Sequence, residues 1–188
     1  MIDVQSFDKV AAESIAHDQL HQEVSAVEYA SAEHLGSAVH ALDIVILSAL
    51  EVDVDFNVNV LVGSDGIIRG AVGGHPDTAE DSALSIIVCP LLRGRIPCVV
   101  PKVTTLITPG AGVDVVVTEY GIAVNPRRPE IAERLVAAGL KVVDIHDLAA
   151  KATSIIGEPD PLPFGDKVVG IVMDRHGKVL DEIRNIVD

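Results

Sequence analysis

The chain has 188 residues, 48% of them apolar and 22% charged, with a net charge of −14. That is enough polypeptide for one domain with a sizeable core, at most one and a half, and it is too apolar for a disordered acidic tail. An aromatic content of 3% with no Trp, together with the acidity, excludes a base-stacking platform and any sequence-independent grip on phosphate backbones.

The first forty residues are helical in pattern. Val10, Ala11 and Ile15, then Val24, Val27, Tyr29 and Ala30, recur at three- and four-residue spacing, with Asp8 and Ser25 as caps. Met1 to Lys9 holds no apolar core of a secretory signal, and no apolar run approaches the roughly 18 residues of a membrane helix. A cytoplasmic protein without a membrane or nucleic-acid partner is expected. The period then changes. Asp43–Leu50 reads as a buried strand, and Phe56–Val62 alternates as a second one, followed by a turn at Gly63–Gly66 leading to Ile67–Arg69.

Leu84–Cys89, Cys98–Val100 and Val113–Thr118 are further strands, and Tyr120–Val124 follows the last. Arg128-Pro129-Glu130 opens a helix whose apolar stripe is Ile131, Leu135, Val136 and Leu140. Val142-Val143 suggests a short strand, Ile145–Ile155 a helix ending at Gly157, and Glu158–Pro163 an extended linker. Lys167–Met173 and Val179–Ile183 flank Asp174-Arg175-His176-Gly177 as a closing hairpin. Helices alternating with β-branched runs give an α/β class, an open sheet, mostly parallel or mixed, flanked by helices. Cys89 and Cys98 sit in apolar runs as buried, inert thiols, and no metal framework can be assembled from them.

Four stretches concentrate chemistry. Glu51, Asp53 and Asp55 alternate directly after a strand, which places the three acids on one face, either a solvated edge or a carboxylate poised as nucleophile or base. Gly70, Gly73 and Gly74 precede a helix entry at Pro76-Asp77-Thr78, so their N–H groups form either a plain turn or an anion or oxyanion site; His75 is a turn histidine or a donor beside a carboxylate. The spacing fits neither a P-loop nor a dinucleotide fingerprint. Arg69, Arg93 and Arg95 share this glycine-rich middle and are either surface ion pairs or bidentate holders of carboxylates. Thr104-Thr105 and Thr108–Gly112 supply loop hydroxyls and a permissive turn, and Glu119-Tyr120 is either structural or near a ligand.

In their order and spacing these stretches resemble the citrate lyase alpha subunit family, the citrate CoA-transferase subunits. The carrying residues are Ser48–Val60, Gly63–Gly66, Gly73–Ala79, Leu92–Pro97, Val103–Thr105, Thr108–Gly110, Val113–Gly121 and Ala123–Pro126. The resemblance implies a CoA-transferase-like fold with helices on both faces of an open sheet, 1–188 being a single domain that corresponds to the second half of a longer family protein. It implies exchange of acetyl for citryl on an acyl carrier protein, whose phosphoribosyl-dephospho-CoA arm carries the thioester, with no cofactor bound covalently by the chain. Implied partners are the beta subunit, the acyl carrier protein (gamma), citrate and acetate, in an oligomer. Glu51 matches the nucleophilic glutamate of related acyl-CoA transferases. Gly73, Gly74 and His75 are then the remaining catalytic candidates, and Asn57, Asn59, Arg69, Arg93 and Arg95 the substrate-binding ones. No metal is implied. The alternatives are a covalent acyl-CoA transferase or hydrolase using Glu51, and a non-catalytic partner subunit.

Overall fold

The computed structural model describes residues 9–21, 23–31, 33–157 and 160–187. The N-terminal part is helical: α1 (Lys9–His17), α2 (Ala26–Ala30) and a 3-10 turn at Ala38–Ala41. Ser25 caps α2 reciprocally, its hydroxyl accepting from Glu28 N at 3.2 Å while the Glu28 carboxylate accepts from Ser25 N at 2.9 Å. The predicted cap at Asp8 lies outside the described residues.

Strands β1 (Ile44–Ser48), β2 (Glu51–Asp53) and β3 (Val58–Asn59) follow, then α3 (His75–Asp81), β4 (Leu84–Val88), β5 (Leu92–Arg93), β6 (Ile96–Pro97) and β7 (Val99–Val100). The chain continues with β8 (Val115–Thr118), β9 (Gly121–Val124), α4 (Pro129–Ala137), α5 (Ile145–Ile156), β10 (Phe164–Met173) and β11 (Val179–Ile186). The main sheet runs β1-β4-β8-β9, parallel across its first three strands and antiparallel at the last. A smaller sheet, β3-β2-β7, pairs β2 with β7 in parallel. The class is therefore α/β with open, mixed sheets and flanking helices.

Ile87, Val116 and Ala123 of the main sheet meet Val52, Phe56, Val58 and Val99 around the smaller one, closed by Leu148, Ala149 and Ala152 of α5. Those α5 residues recur at the spacing of one helix face. Asp144 starts the helix by accepting from His146 N, and Gly157, at φ 80°, ends it. Cys89 and Cys98 are free and buried in this core. Burial pushes the Cys89 thiol up to about 12, so it stays protonated and inert at neutral pH.

Four expectations need correction. Asp43–Leu50 is not a buried strand: β1 lies at the sheet edge, and Ile44 and Ile46 are 54% and 67% exposed. Phe56–Val62 is not a continuous strand either. A turn intervenes after β2, with Phe56 at φ 65°, and of this stretch Val58–Asn59 pairs with β2 while Val62 makes a separate bridge to Ile68. The three acids consequently share no exposed face: Glu51 and Asp53 are both buried, and only Asp55 faces solvent, from the turn. Helix α4 forms but ends at Ala137, which leaves Leu140 of the predicted stripe beyond it, and Val136 and Leu140 remain 60% and 48% exposed.

Candidate active site around Glu51

The polar anatomy of this region starts with the β2–β3 turn. Asp53 spends its carboxylate on it, Oδ1 accepting from Asp55 N and Asn57 N, and Oδ2 from Asn57 Nδ2 and Val103 N. Asn57 Oδ1 accepts in turn from Gly110 N at 2.9 Å. A Cβ on Gly110 would lie 2.0 Å from the Asp55 carbonyl oxygen, so only glycine permits this approach. Asp53 and Asn57 thus tie the turn to the 103–110 loop.

Glu51 opens β2 and pairs with Asn59 of β3. Asn59 is fully buried and uses its whole amide: Nδ2 donates to Glu51 Oε2 at 2.8 Å and to Val62 O at 2.7 Å, while Oδ1 accepts from Leu61 N and Val62 N. Thr104 holds the same carboxylate twice, its N–H donating to Oε2 at 2.7 Å and its hydroxyl to Oε1 at 2.8 Å. Among the described residues Oε2 therefore accepts two hydrogen bonds and Oε1 one, which leaves a lone pair of Oε1 uncommitted there. Glu51, 5% exposed, lines a cavity of about 240 Å³ with Lys102, Thr104, Thr153, Asp160, Leu162 and Phe164. A buried carboxyl group held by neutral donors and facing a partly apolar cavity is suited to meeting an uncharged acyl group or a hydroxyl.

The other candidates stand around this centre rather than in it. Gly73 adopts φ +52° and Gly74 caps α3, with Tyr29 against it: a Cβ on Gly74 would come within 2.8 Å of the ring. His75 Nε2 lies 2.9 Å from Ser48 O, and since a carbonyl only accepts, that nitrogen carries the proton. Burial pushes the ring below the ordinary histidine range, so Nδ1 is left to accept from the Thr108 hydroxyl at 2.7 Å. Arg93 Nη2 donates to Ala49 O at 2.9 Å. His75 and Arg93 thus grip successive carbonyls of the segment leading from β1 into Glu51.

Arg69 is exposed and paired with Asp65, and Arg95 makes no hydrogen bond or ion pair among the described residues. None of Gly73, Gly74, His75, Arg69, Arg93 and Arg95 lines the Glu51 cavity. Glu119 has a structural task, accepting from Leu91 N at 2.9 Å. Sequence reasoning gave Thr104 no role beyond a loop hydroxyl and did not single out Lys102. Their link to Glu51 crosses about fifty positions and leaves no local spacing to detect. Among the described residues no group of three or more His, Cys, Asp or Glu could hold a metal ion, and no helix is long and apolar enough to cross a membrane.

Comparison with known proteins gives this geometry its setting. Residues 1–186 match the family model described as citrate lyase, alpha subunit. The citrate lyase alpha chain of Escherichia coli is 56% identical over 186 residues, 99% of this chain and 36% of that one. That of Klebsiella pneumoniae is 50% identical over 186 residues, 99% and 37% respectively. A structure from Streptococcus mutans, described as the alpha subunit of citrate lyase in complex with citrate, superimposes with a TM-score of 0.93 at 49% identity, covering 99% of this chain and 37% of that one. The chain spans little more than a third of the length of the curated relatives it matches.

Proposed function

Because the chain belongs to the citrate lyase alpha subunit family, we propose that it forms the Glu51-bearing domain, 1–188, of a citrate CoA-transferase centre. In this reading citrate and an acetylated acyl carrier protein exchange acyl groups, giving acetate and the citryl carrier protein. A beta subunit then cleaves the citryl thioester in a cytoplasmic oligomeric complex. The thioester sits on the phosphoribosyl-dephospho-CoA arm of the carrier protein, which enters as substrate.

The exchange is nearly isoenergetic and balances without an added reactant. A citrate carboxylate oxygen adds to the acetyl carbonyl, and collapse releases the thiolate and leaves a citryl–acetyl anhydride. The thiolate adds to the citryl carbonyl, and acetate departs with the bridging oxygen. Catalysis needs two acyl groups held in register and a stabilised tetrahedral oxyanion. The observation that carries the reading is the buried Glu51 carboxylate, fixed by Asn59 and Thr104 at the cavity wall. Its uncommitted Oε1 lone pair accepts the citrate hydroxyl, and the Lys102 ammonium at the same wall pairs with a citrate carboxylate. Arg95, and Arg69 once released from Asp65, are further cations for that substrate. Gly73 and Gly74 offer backbone N–H groups to the oxyanion once the acyl groups span both regions, and Asn57, His75 and Arg93 keep the surrounding backbone in place.

The same lone pair supports a second reading, in which Oε1 itself attacks the acetyl carbonyl and a glutamyl thioester follows. Citrate labelled with oxygen-18 in its carboxylates separates the two in one turnover of this chain assembled with its carrier protein and the complementary part of the E. coli alpha chain. Direct exchange delivers the label to acetate. Covalent exchange leaves it on the Glu51 peptide. Absence of citrate-dependent acetate release from a complex that assembles would reject both and leave the chain as a non-catalytic partner.

A further inference from the structure

The 103–108 loop holds Glu51 and is itself held from two sides. On its inner side the 51–58 segment accepts from its N–H groups. Asp53 Oδ2 accepts from Val103 N at 3.3 Å and Glu51 Oε2 from Thr104 N at 2.7 Å, while Val58 O accepts from Ile107 N and Thr108 N, both at 3.0 Å. On its outer side Asp181 of β11 accepts from Leu106 N through Oδ2, at 2.8 Å. Between the loop and β11 lies a second cavity of about 210 Å³, lined by Thr104 and Thr105 of the loop and by Asp181–Arg184 of β11. Side chains that border a void lack packing partners on that side, so the hairpin steadies the loop through this hydrogen bond more than through packing. A backbone N–H donating to a carboxylate makes a bond about twice as strong as one to a neutral acceptor.

We infer that Asp181 is a positioning residue of the Glu51 centre: through the Leu106 N–H it sets the loop, and through Thr104 the loop sets the carboxylate. Asp181 does not line the Glu51 cavity, so it acts through the loop rather than on substrate. A loop released at Leu106 carries both Thr104 donors with it, and Glu51 then loses the geometry that an acyl exchange demands. The hairpin keeps a separate anchor in the Arg175–Asp81 pair, so removing the Asp181 side chain frees the loop without freeing the hairpin. The inference deepens the transferase reading and rests on it.

The test compares Asp181→Ala and Asp181→Asn in the complex assembled with the carrier protein and the complementary part of the E. coli alpha chain. Asp181→Ala is expected to lower kcat about tenfold, with the KM for citrate changed less than about twofold. Asp181→Asn removes the charge but keeps an oxygen that accepts from Leu106 N, and is expected to stay within about threefold of the parent. In a Glu51→Gln background Asp181→Ala is expected to change kcat less than about twofold, because its effect passes through that carboxylate. Amide exchange reads the same link apart from turnover. Leu106 loses its own acceptor in Asp181→Ala, and Thr104, two residues away, is expected to exchange at least about fivefold faster. Asp181 is half-buried on the outer hairpin, so the Ala variant keeps its fold, verified by unchanged exchange around Ile87. The inference is overturned if Asp181→Ala turns over within about twofold of the parent or if Asp181→Asn is as impaired as Asp181→Ala. It is overturned equally if the losses from Glu51→Gln and Asp181→Ala multiply, or if exchange at Thr104 is unchanged. A parent complex that assembles but releases no acetate would reject the transferase reading and this inference with it, an outcome distinct from an active parent with an unaffected variant.

Discussion

Thr104 aims two donors at one carboxylate, and Asn59 adds a third from an amide that has no capacity left for anything else. Thr104→Val removes the hydroxyl donor to Oε1 while keeping the shape, and should cost about 1 kcal/mol in urea unfolding. With Oε1 left without its hydroxyl donor and Glu51 held through Oε2 alone, kcat in the assembled complex should fall about tenfold or more, and Thr104→Ser should restore it. A loss of stability with kcat untouched would reduce Thr104 to a structural role. His75 makes a prediction of a different kind. Its ring is neutral in the fold because burial holds it below the ordinary histidine value. Its contribution is fully present above about pH 6.5 and is lost as pH falls, since the unfolded chain takes up the proton first. Unfolding midpoints measured from about pH 8 to 5 should therefore decline in the parent and flatten in His75→Gln. At this scale the sequence announced its unusual residues well, Glu51 and the Gly73–His75 turn among them. It could not reveal that His75 would spend both nitrogens on Ser48 and Thr108, because that pairing depends on how β1, α3 and the 103–110 loop pack.

The closing β10–β11 hairpin is attached to the rest of the fold partly through charge. From its turn Arg175 reaches α3, making a bidentate pair with Asp81 at 2.6 and 2.8 Å and approaching Glu80 at 3.4 Å. Farther along, Asp181 accepts from Leu106 N, and Phe164 lines the Glu51 cavity. Arg175→Ala should cost about 1–2 kcal/mol and speed hydrogen exchange through 164–186. The Arg175 guanidinium holds the Asp81 carboxyl below the usual aspartate range. The attachment is therefore fully present above about pH 4 and is lost as pH falls further through the lowered value. Protection of the hairpin amides, taken relative to the intrinsic exchange rate at each pH and unchanged from neutral pH to about pH 3, would show that this pair does not hold the hairpin. Element types were largely legible, because α5, α4 and the hairpin follow from capping, proline and alternation. What each face would meet was not. Ile44-Val45-Ile46-Leu47 and the α4 stripe are apolar enough for a core, yet much of that surface stays exposed in this chain, since periodicity describes a face and says nothing of its occupant.

Over the whole molecule, two sheets share one core, and the polar cluster of the smaller sheet meets the hairpin around a single cavity. The acidity of the chain favours solubility and works against capture of anionic substrates, which makes Lys102 at the cavity wall consequential. Lys102→Met should raise the KM for citrate about tenfold with kcat little changed; an effect confined to thermal stability would assign Lys102 to packing. The measurement that bears most directly on the account is citrate-dependent acetate release by the assembled complex carrying Glu51→Gln, an uncharged near-isostere. Turnover should fall about a hundredfold or more with assembly and hydrogen exchange preserved. A rate within about twofold of the parent would contradict the placing of Glu51 at the reacting centre.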